Sequence, residues 1–267
     1  MLLRLLFPLL LACCAAAHAQ APQAGRLERV LAAKTLRVCI WPDYYGITYR
    51  NPRTQQLSGI DIDLAGELAK DLGGDMTVRF VDSSFATLVD DVDGDRCDIA
   101  MFAVGITAAR AEKLRFTQPY LASDIYAITT KANRRIREWA DIDQPGVVVA
   151  VAKGTYHEPV MRQKLKHATL EAFDTPFARE REVESGRADV FMTDYPYSQR
   201  MLQNADWARL VAPPAPYHMT SYAYAVKPGD ERWYARVERF VADIKRDGRL
   251  RAAAQLHKLD PIAILDR

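Results

Sequence analysis

The chain has 267 residues, 49% hydrophobic and 26% charged, with 36 Lys and Arg against 34 Asp and Glu and a formal net charge of +2. This balance excludes a disordered chain and a small disulfide scaffold, and the lack of a long apolar run after the first twenty residues excludes a membrane transporter. Near neutrality with interspersed charges, as in Arg179-Glu180-Arg181-Glu182, argues against nucleic acid as a partner, because phosphate binding needs a basic stripe.

In chain order, the first element is a secretory leader. Arg4 precedes an apolar run from Leu5 to Ala17, and Ala17-His18-Ala19 forms a small-x-small cleavage pattern before Gln20. The competing reading is a lipoprotein, since Leu10-Leu11-Ala12-Cys13 is similar to a lipobox with an atypical Leu11. Removing the 19-residue leader from 267 leaves 248 residues, a size that suits one large domain or two lobes. Cys39 and Cys97 remain. A strand ending near Cys39 and another starting at Cys97 would, as a parallel pair, hold the two far apart, so the expectation is two buried free thiols.

Strand-like and helix-like segments then alternate, the pattern of parallel sheets with helices on their faces. Leu36–Trp41 reads as a strand. Asp61–Leu72 reads as a helix with Ile62, Ala65, Leu68, Ala69 and Leu72 at helical spacing and Gly73 as its stop. Strand Thr77–Val81, a short helix Ser84–Val92 capped by Ser83 or Ser84, and strand Ile99–Val104 complete the first unit. After Pro119 the spacing predicts strands at Ile125–Thr130, Val147–Val151, Leu170–Phe173 and Asp189–Thr193, with helices at Thr155–His167, Pro176–Ser185 and Tyr195–Asn204. The Pro-rich stretch Ala212–Pro216 breaks the rhythm. Tyr222–Val226 returns to strand, and Glu231–Arg246 is a docking helix with Trp233, Val237, Phe240, Val241 and Ile244 on one face.

Two α/β units joined near Gln118-Pro119-Tyr120 and Ala212–Tyr217 predict two lobes on a two-strand hinge, a geometry that permits clamshell closure. Residues 20–122 and 220–267 form the first lobe, and 123–219 the second.

The chain resembles the family 3 extracellular solute-binding proteins, the periplasmic receptors of amino acid ABC transporters. The residues that carry the resemblance are Ser58-Gly59-Ile60-Asp61-Ile62-Asp63, Cys97-Asp98-Ile99-Ala100, Gly105-Ile106-Thr107 with Arg110, Phe116-Thr117-Gln118-Pro119-Tyr120, Lys153-Gly154-Thr155, and Gly186-Arg187-Ala188-Asp189 leading to Asp194. It implies a type II periplasmic-binding-protein fold, each lobe a mixed, mostly parallel sheet flanked by helices.

From the residues alone, Arg110 is either a surface Arg or a guanidinium placed past a strand end to grip a carboxylate through paired hydrogen bonds. The resemblance implies the second role. Asp194 is either a helix cap or a ligand contact, and the resemblance implies that it receives an α-ammonium. The amides of Thr155 and Tyr156, at a helix start after Gly154, suit an anion. Phe85 and Tyr44 are candidate aromatic walls, and Thr107 stands where the family keeps a Thr. Two residues earlier the family commonly has a hydroxyl where this chain has Gly105, which implies a thinner carboxylate grip. Arg50 reads as a surface residue or a cleft contact. His157, His167, His218 and His257 show no metal-ligand spacing, and neither metal nor cofactor is expected.

The function expected is a monomeric periplasmic receptor that closes on a small polar solute, an amino acid or related carboxylate, and delivers it to an inner-membrane ABC permease. The alternative is a periplasmic enzyme similar to cyclohexadienyl dehydratase. That group's catalytic carboxylate falls about where this chain has Tyr197, so no enzyme is expected. A third reading, an accessory ligand sensor, lacks a signalling domain or anchor before Arg267.

Overall fold

The computed structural model of the protein describes residues 25–266, and the leader at 1–19 lies outside them. Helix α1 (Arg26–Ala33) leads into β1 (Thr35–Ile40), a small hairpin sheet of β2 (Asp43–Tyr44), β3 (Thr48–Arg50) and β4 (Leu57–Ser58), and α2 (Ile60–Leu72). Then come β5 (Thr77–Asp82), α3 (Leu88–Asp93), β6 (Ile99–Gly105), α4 (Ala108–Ala111), β7 (Arg115–Phe116) and β8 (Leu121–Ser123). The middle of the chain supplies β9 (Tyr126–Thr130), β10 (Val148–Ala152), α5 (His157–Lys164), β11 (Thr169–Phe173), α6 (Pro176–Glu184), β12 (Val190–Thr193), α7 (Tyr195–Asn204) and β13 (Ala208–Val211). The chain returns through β14 (Thr220–Val226) and ends on α8 (Glu231–Asp247) and α9 (Arg249–Leu256).

These strands form two mixed sheets. The first runs β5-β1-β6-β14-β7, with β8 also on β14, and the second β11-β10-β12-β9-β13. Three parallel strands carry each sheet: Val38 sits opposite Phe80 and Ile99 in one, and Val149 opposite Leu170 and Val190 in the other. The strands β14, β9 and β13 add antiparallel partners. Every residue of β6 is buried, as befits a central strand covered on both faces. Helix α8 docks with its five predicted apolar residues buried, its start fixed by the Asp230 carboxylate on the Trp233 N–H at 2.9 Å.

The two cysteines are joined. Cys39 and Cys97 form a disulfide with Cα atoms 5.5 Å apart, which corrects the expectation of free thiols. The expectation failed because Cys97 is not in the strand: β6 begins at Ile99, and a bend at Asp98 turns Cys97 out of its line. Two helices are also shorter than their periodicity suggests. The segment 84–87 is a turn before α3, and α5 spans only His157–Lys164.

Two features of this frame position the cleft. Asp124, buried where the chain first crosses between sheets, accepts the N–H groups of Ile125, Tyr217 and His218 at 2.8, 2.8 and 2.7 Å, so one carboxylate ties both crossings together. In β6, Ala103 takes a left-handed φ of 48°, and the pairing with β14 shifts register between Ala223 and Ala225. The Ala103 N–H donates instead to Asp61 at 2.9 Å and to the Tyr120 hydroxyl at 3.2 Å. Such an irregularity re-aims the end of a strand; here it precedes Gly105 and the turn that carries Arg110.

Candidate functional site

Arg110 lies in α4, the single turn of helix after β6, with its N–H held by the Thr107 hydroxyl at 3.3 Å. Thr107 is thus a cap beneath Arg110. Arg110 as a whole is 8% exposed. It donates to the Gly105 carbonyl at 2.9 Å and, across the cleft, to the Gly154 carbonyl at 2.9 Å. Its cationic centre stands 5.2 Å from the Phe85 ring, which packs edge-on against Trp41 and Tyr44. Burial lowers the Arg110 pKa to about 10, so it is charged at neutral pH.

Asp194 stands on the opposite wall as the N-cap of α7, receiving the Tyr197 N–H at 3.2 Å. Its other oxygen accepts the Tyr44 hydroxyl and, at 2.8 Å, the Tyr222 hydroxyl, both from the first sheet's side. The Tyr156 hydroxyl is 3.2 Å from that of Tyr222. Because Tyr222 has one proton and gives it to Asp194, Tyr156 donates to Tyr222. Burial raises the Asp194 pKa, outweighing these donors.

Gly154 makes the closest approach. Its φ is +75°, and a Cβ there would fall 2.6 Å from the Ala86 nitrogen and 2.9 Å from the Phe85 carbonyl carbon. Only a glycine lets the two backbones meet. The Thr155 hydroxyl turns back to the Ala152 carbonyl at 2.7 Å, ordering the loop. Gly105 leaves room for neighbours: a Cβ would lie 3.1 Å from Thr220 and 3.3 Å from the Tyr156 ring. The missing hydroxyl at 105 is therefore matched by an aromatic ring from the other wall.

Between the walls is a cavity of about 20 Å³ bordered by Tyr44, Phe85, Tyr156, His157, Arg179 and Asp194, among others. His157 and Arg179 were not in the sequence-based set of site residues. Both are buried, at 5% and 2% exposure. Neither His157 ring nitrogen has a hydrogen-bond partner; the Thr193 backbone is near but out of normal geometry. Burial, reinforced by Arg179 and Arg110, pushes the His157 pKa down to about 3, so the ring is neutral. Arg179 donates to the Met192 carbonyl at 2.8 Å and stacks on Phe191 and Tyr197, while its Nε has no partner. The Tyr197 hydroxyl, in turn, donates to Glu180 and accepts from Arg200 at 2.7 Å.

The model of the bacterial extracellular solute-binding proteins, family 3, matches residues 36–257. The chain belongs to this family. Its relatives include the cyclohexadienyl dehydratase of Pseudomonas aeruginosa, 33% identical over 90% of this chain and 88% of that protein. The L-cystine-binding protein TcyJ of Escherichia coli is 25% identical over 86% of this chain and 85% of its own. Among solved structures, the ancestral amino acid-binding protein AncCDT-1, a precursor of cyclohexadienyl dehydratase, superposes with a TM-score of 0.78 at 28% identity, covering 86% of this chain and 98% of that one. The fold is that of the type II periplasmic binding proteins, as expected from the sequence.

In this family 3 solute-binding protein the cleft thus gathers Arg110, Asp194, Phe85, Tyr44, Gly105, Thr155 and Tyr156, with Thr107 beneath. Arg50 is elsewhere, paired with Asp82 at 2.7 and 2.5 Å on the surface. Tyr195 packs on Tyr126, away from the cavity. Tyr222 also went unrecognised in the sequence, since one Tyr in an apolar strand looks like core. Among the described residues no three His, Cys, Asp or Glu side chains come together as a metal-ligand group, and no helix is long and apolar enough to cross a membrane.

Proposed function

We propose that this solute-binding protein is a periplasmic receptor that captures a small amino acid between two hinged lobes and delivers it to an ABC transporter permease. The observation that carries this reading is the pairing of walls. Arg110 and Asp194 are buried on opposite sides of one cleft, and each is held by polar atoms from across it. A ligand's α-carboxylate replaces the neutral carbonyls on Arg110 with a charge-assisted pair, and the Tyr156 amide adds a donor, the Thr155 N–H being turned to the Ala152 carbonyl at 3.4 Å. Its ammonium replaces the tyrosine hydroxyls on Asp194. Closure is then a population shift driven by contacts made from both lobes at once. An affinity of about −8 kcal/mol, micromolar, is within reach of two such pairs and the aromatic wall. Export by the leader places the receptor in the periplasm.

The test is a thermal-shift screen of the mature protein against the twenty amino acids. One or more should raise the midpoint in a concentration-dependent way, and a flat response to all of them contradicts the reading.

A second reading, a dehydratase, has one observation in its favour: the 33% identity to the Pseudomonas enzyme. Tyr197 stands where the resemblance places that group's catalytic carboxylate, and its hydroxyl is occupied by Glu180 and Arg200. Prephenate incubated with the protein and followed by ultraviolet absorbance separates the readings. Turnover would establish the enzyme, and an unchanged spectrum would remove that reading.

A further inference from the structure

Two charged groups dominate the proposed capture of an amino acid, yet the guanidinium that borders the cavity itself is Arg179. It sits on α6, on the same wall as Asp194, with His157 beside it on α5. Among the described residues no carboxylate lies within ion-pair distance of Arg179. The two acids nearest in charge are committed elsewhere: Glu180 to Tyr197 and Arg200, and Asp194 to Tyr44 and Tyr222. The Arg179 Nε and both nitrogens of His157 are buried without hydrogen-bond partners. Leaving such groups unsatisfied is costly in a low-dielectric interior. A buried cation in no ion pair, next to an imidazole whose nitrogens make no regular hydrogen bond, is a site for an acidic oxygen pair.

We propose, resting on the amino acid receptor reading, that the ligand carries a second acidic group and that Arg179 and His157 receive it, making dicarboxylic amino acids the preferred class. The α-carboxylate goes to Arg110 and the ammonium to Asp194. The side-chain carboxylate then meets the Arg179 fork, with the His157 N–H as a second donor. The aromatic faces of Phe191 and Tyr197 hold the guanidinium in place. Substituting an amide for the acid loses the charge and puts an NH2 donor against the Arg179 guanidinium, which can only donate, a repulsive element as well as a lost attraction.

Titration calorimetry with aspartate, glutamate and 2-aminoadipate, their amides, and arginine tests this on the mature protein. At least one dicarboxylic amino acid should bind tenfold or more tightly than its amide, and arginine more weakly still. In Arg179→Gln, with His157→Gln as a second variant, the acid-over-amide ratio should fall towards one. Circular dichroism checks that each variant is folded, and the wild-type ratio alone is decisive if neither is. Preference for neutral or cationic amino acids overturns the inference and leaves the receptor reading standing. Equal loss of all amino acids in Arg179→Gln overturns it too, by assigning Arg179 to the α-carboxylate. Failure of every amino acid to bind sinks the receptor reading itself.

Discussion

At the scale of single residues, burial decides which charges matter. Asp61 is fully buried and accepts the Tyr120 and Tyr224 hydroxyls at 2.5 and 3.1 Å together with the Ala103 N–H. Burial outweighs these donors and raises its pKa from 3.8 to about 7. A carboxyl that binds its proton more tightly when folded stabilises fully below pH 3.8, and that contribution is lost as pH rises to about 7, up to about 4 kcal/mol. Urea midpoints of the wild type should therefore carry a falling component between pH 4 and 7 that is reduced in Asp61→Asn. The raised Asp194 acts in the same direction, so the slope is not wholly removed. Identical slopes in the two proteins would contradict the assignment. Arg110 and Asp194 were legible only through the motifs shared with the family, since the residues alone left a surface Arg and a helix cap as readings. Arg179, His157 and Tyr222 were not. An Arg within Arg179-Glu180-Arg181-Glu182 looks like a solvated helix face, and only packing against Phe191 and Tyr197 shows that it points inward.

At the scale of elements, the strands were readable as short apolar runs, while their ends were less so. β1, β6 and β10 fall within a residue of expectation, since continuous Val, Ile and Ala runs between helices leave little choice. The edge strands β8 and β13 and helices α1 and α9 carry weaker patterns that tertiary pairing completes. The disulfide was missed because a strand register was extended two residues too far, across the bend at Asp98. That bond closes a loop spanning 58 residues, for which chain entropy gives about 4 kcal/mol of stabilisation. Both cysteines are 0% exposed, so reductant should act only as the protein opens. Cys39→Ala/Cys97→Ala should lower the urea midpoint markedly without changing the far-ultraviolet spectrum. Unaltered stability would remove the disulfide from the account.

At the scale of the whole molecule, two sheets meet across a cleft closed by backbone against backbone at Gly154 and by hydroxyls against Asp194. Gly154→Ala adds a methyl that meets the Ala86 backbone at 2.6–2.7 Å and strains a φ of +75°. Neither cost touches the core of either sheet. The variant should fold, yet lose ligand-induced stabilisation by at least half, and show no ligand-induced fall in radius of gyration by small-angle scattering. A wild-type response would mean that closure does not bring Gly154 onto Phe85 and Ala86.

In the proposed function one amino acid is read at both ends, by Arg110 on one wall and Asp194 on the other. Titration calorimetry of the best-binding amino acid and its des-amino analogue, against wild type, Arg110→Ala and Asp194→Asn, addresses it most directly. Arg110→Ala should weaken both ligands about a hundredfold, close to 2.7 kcal/mol, and Asp194→Asn should weaken the amino acid far more than the analogue. Unchanged binding in Arg110→Ala, or equal losses for both ligands in Asp194→Asn, would contradict it.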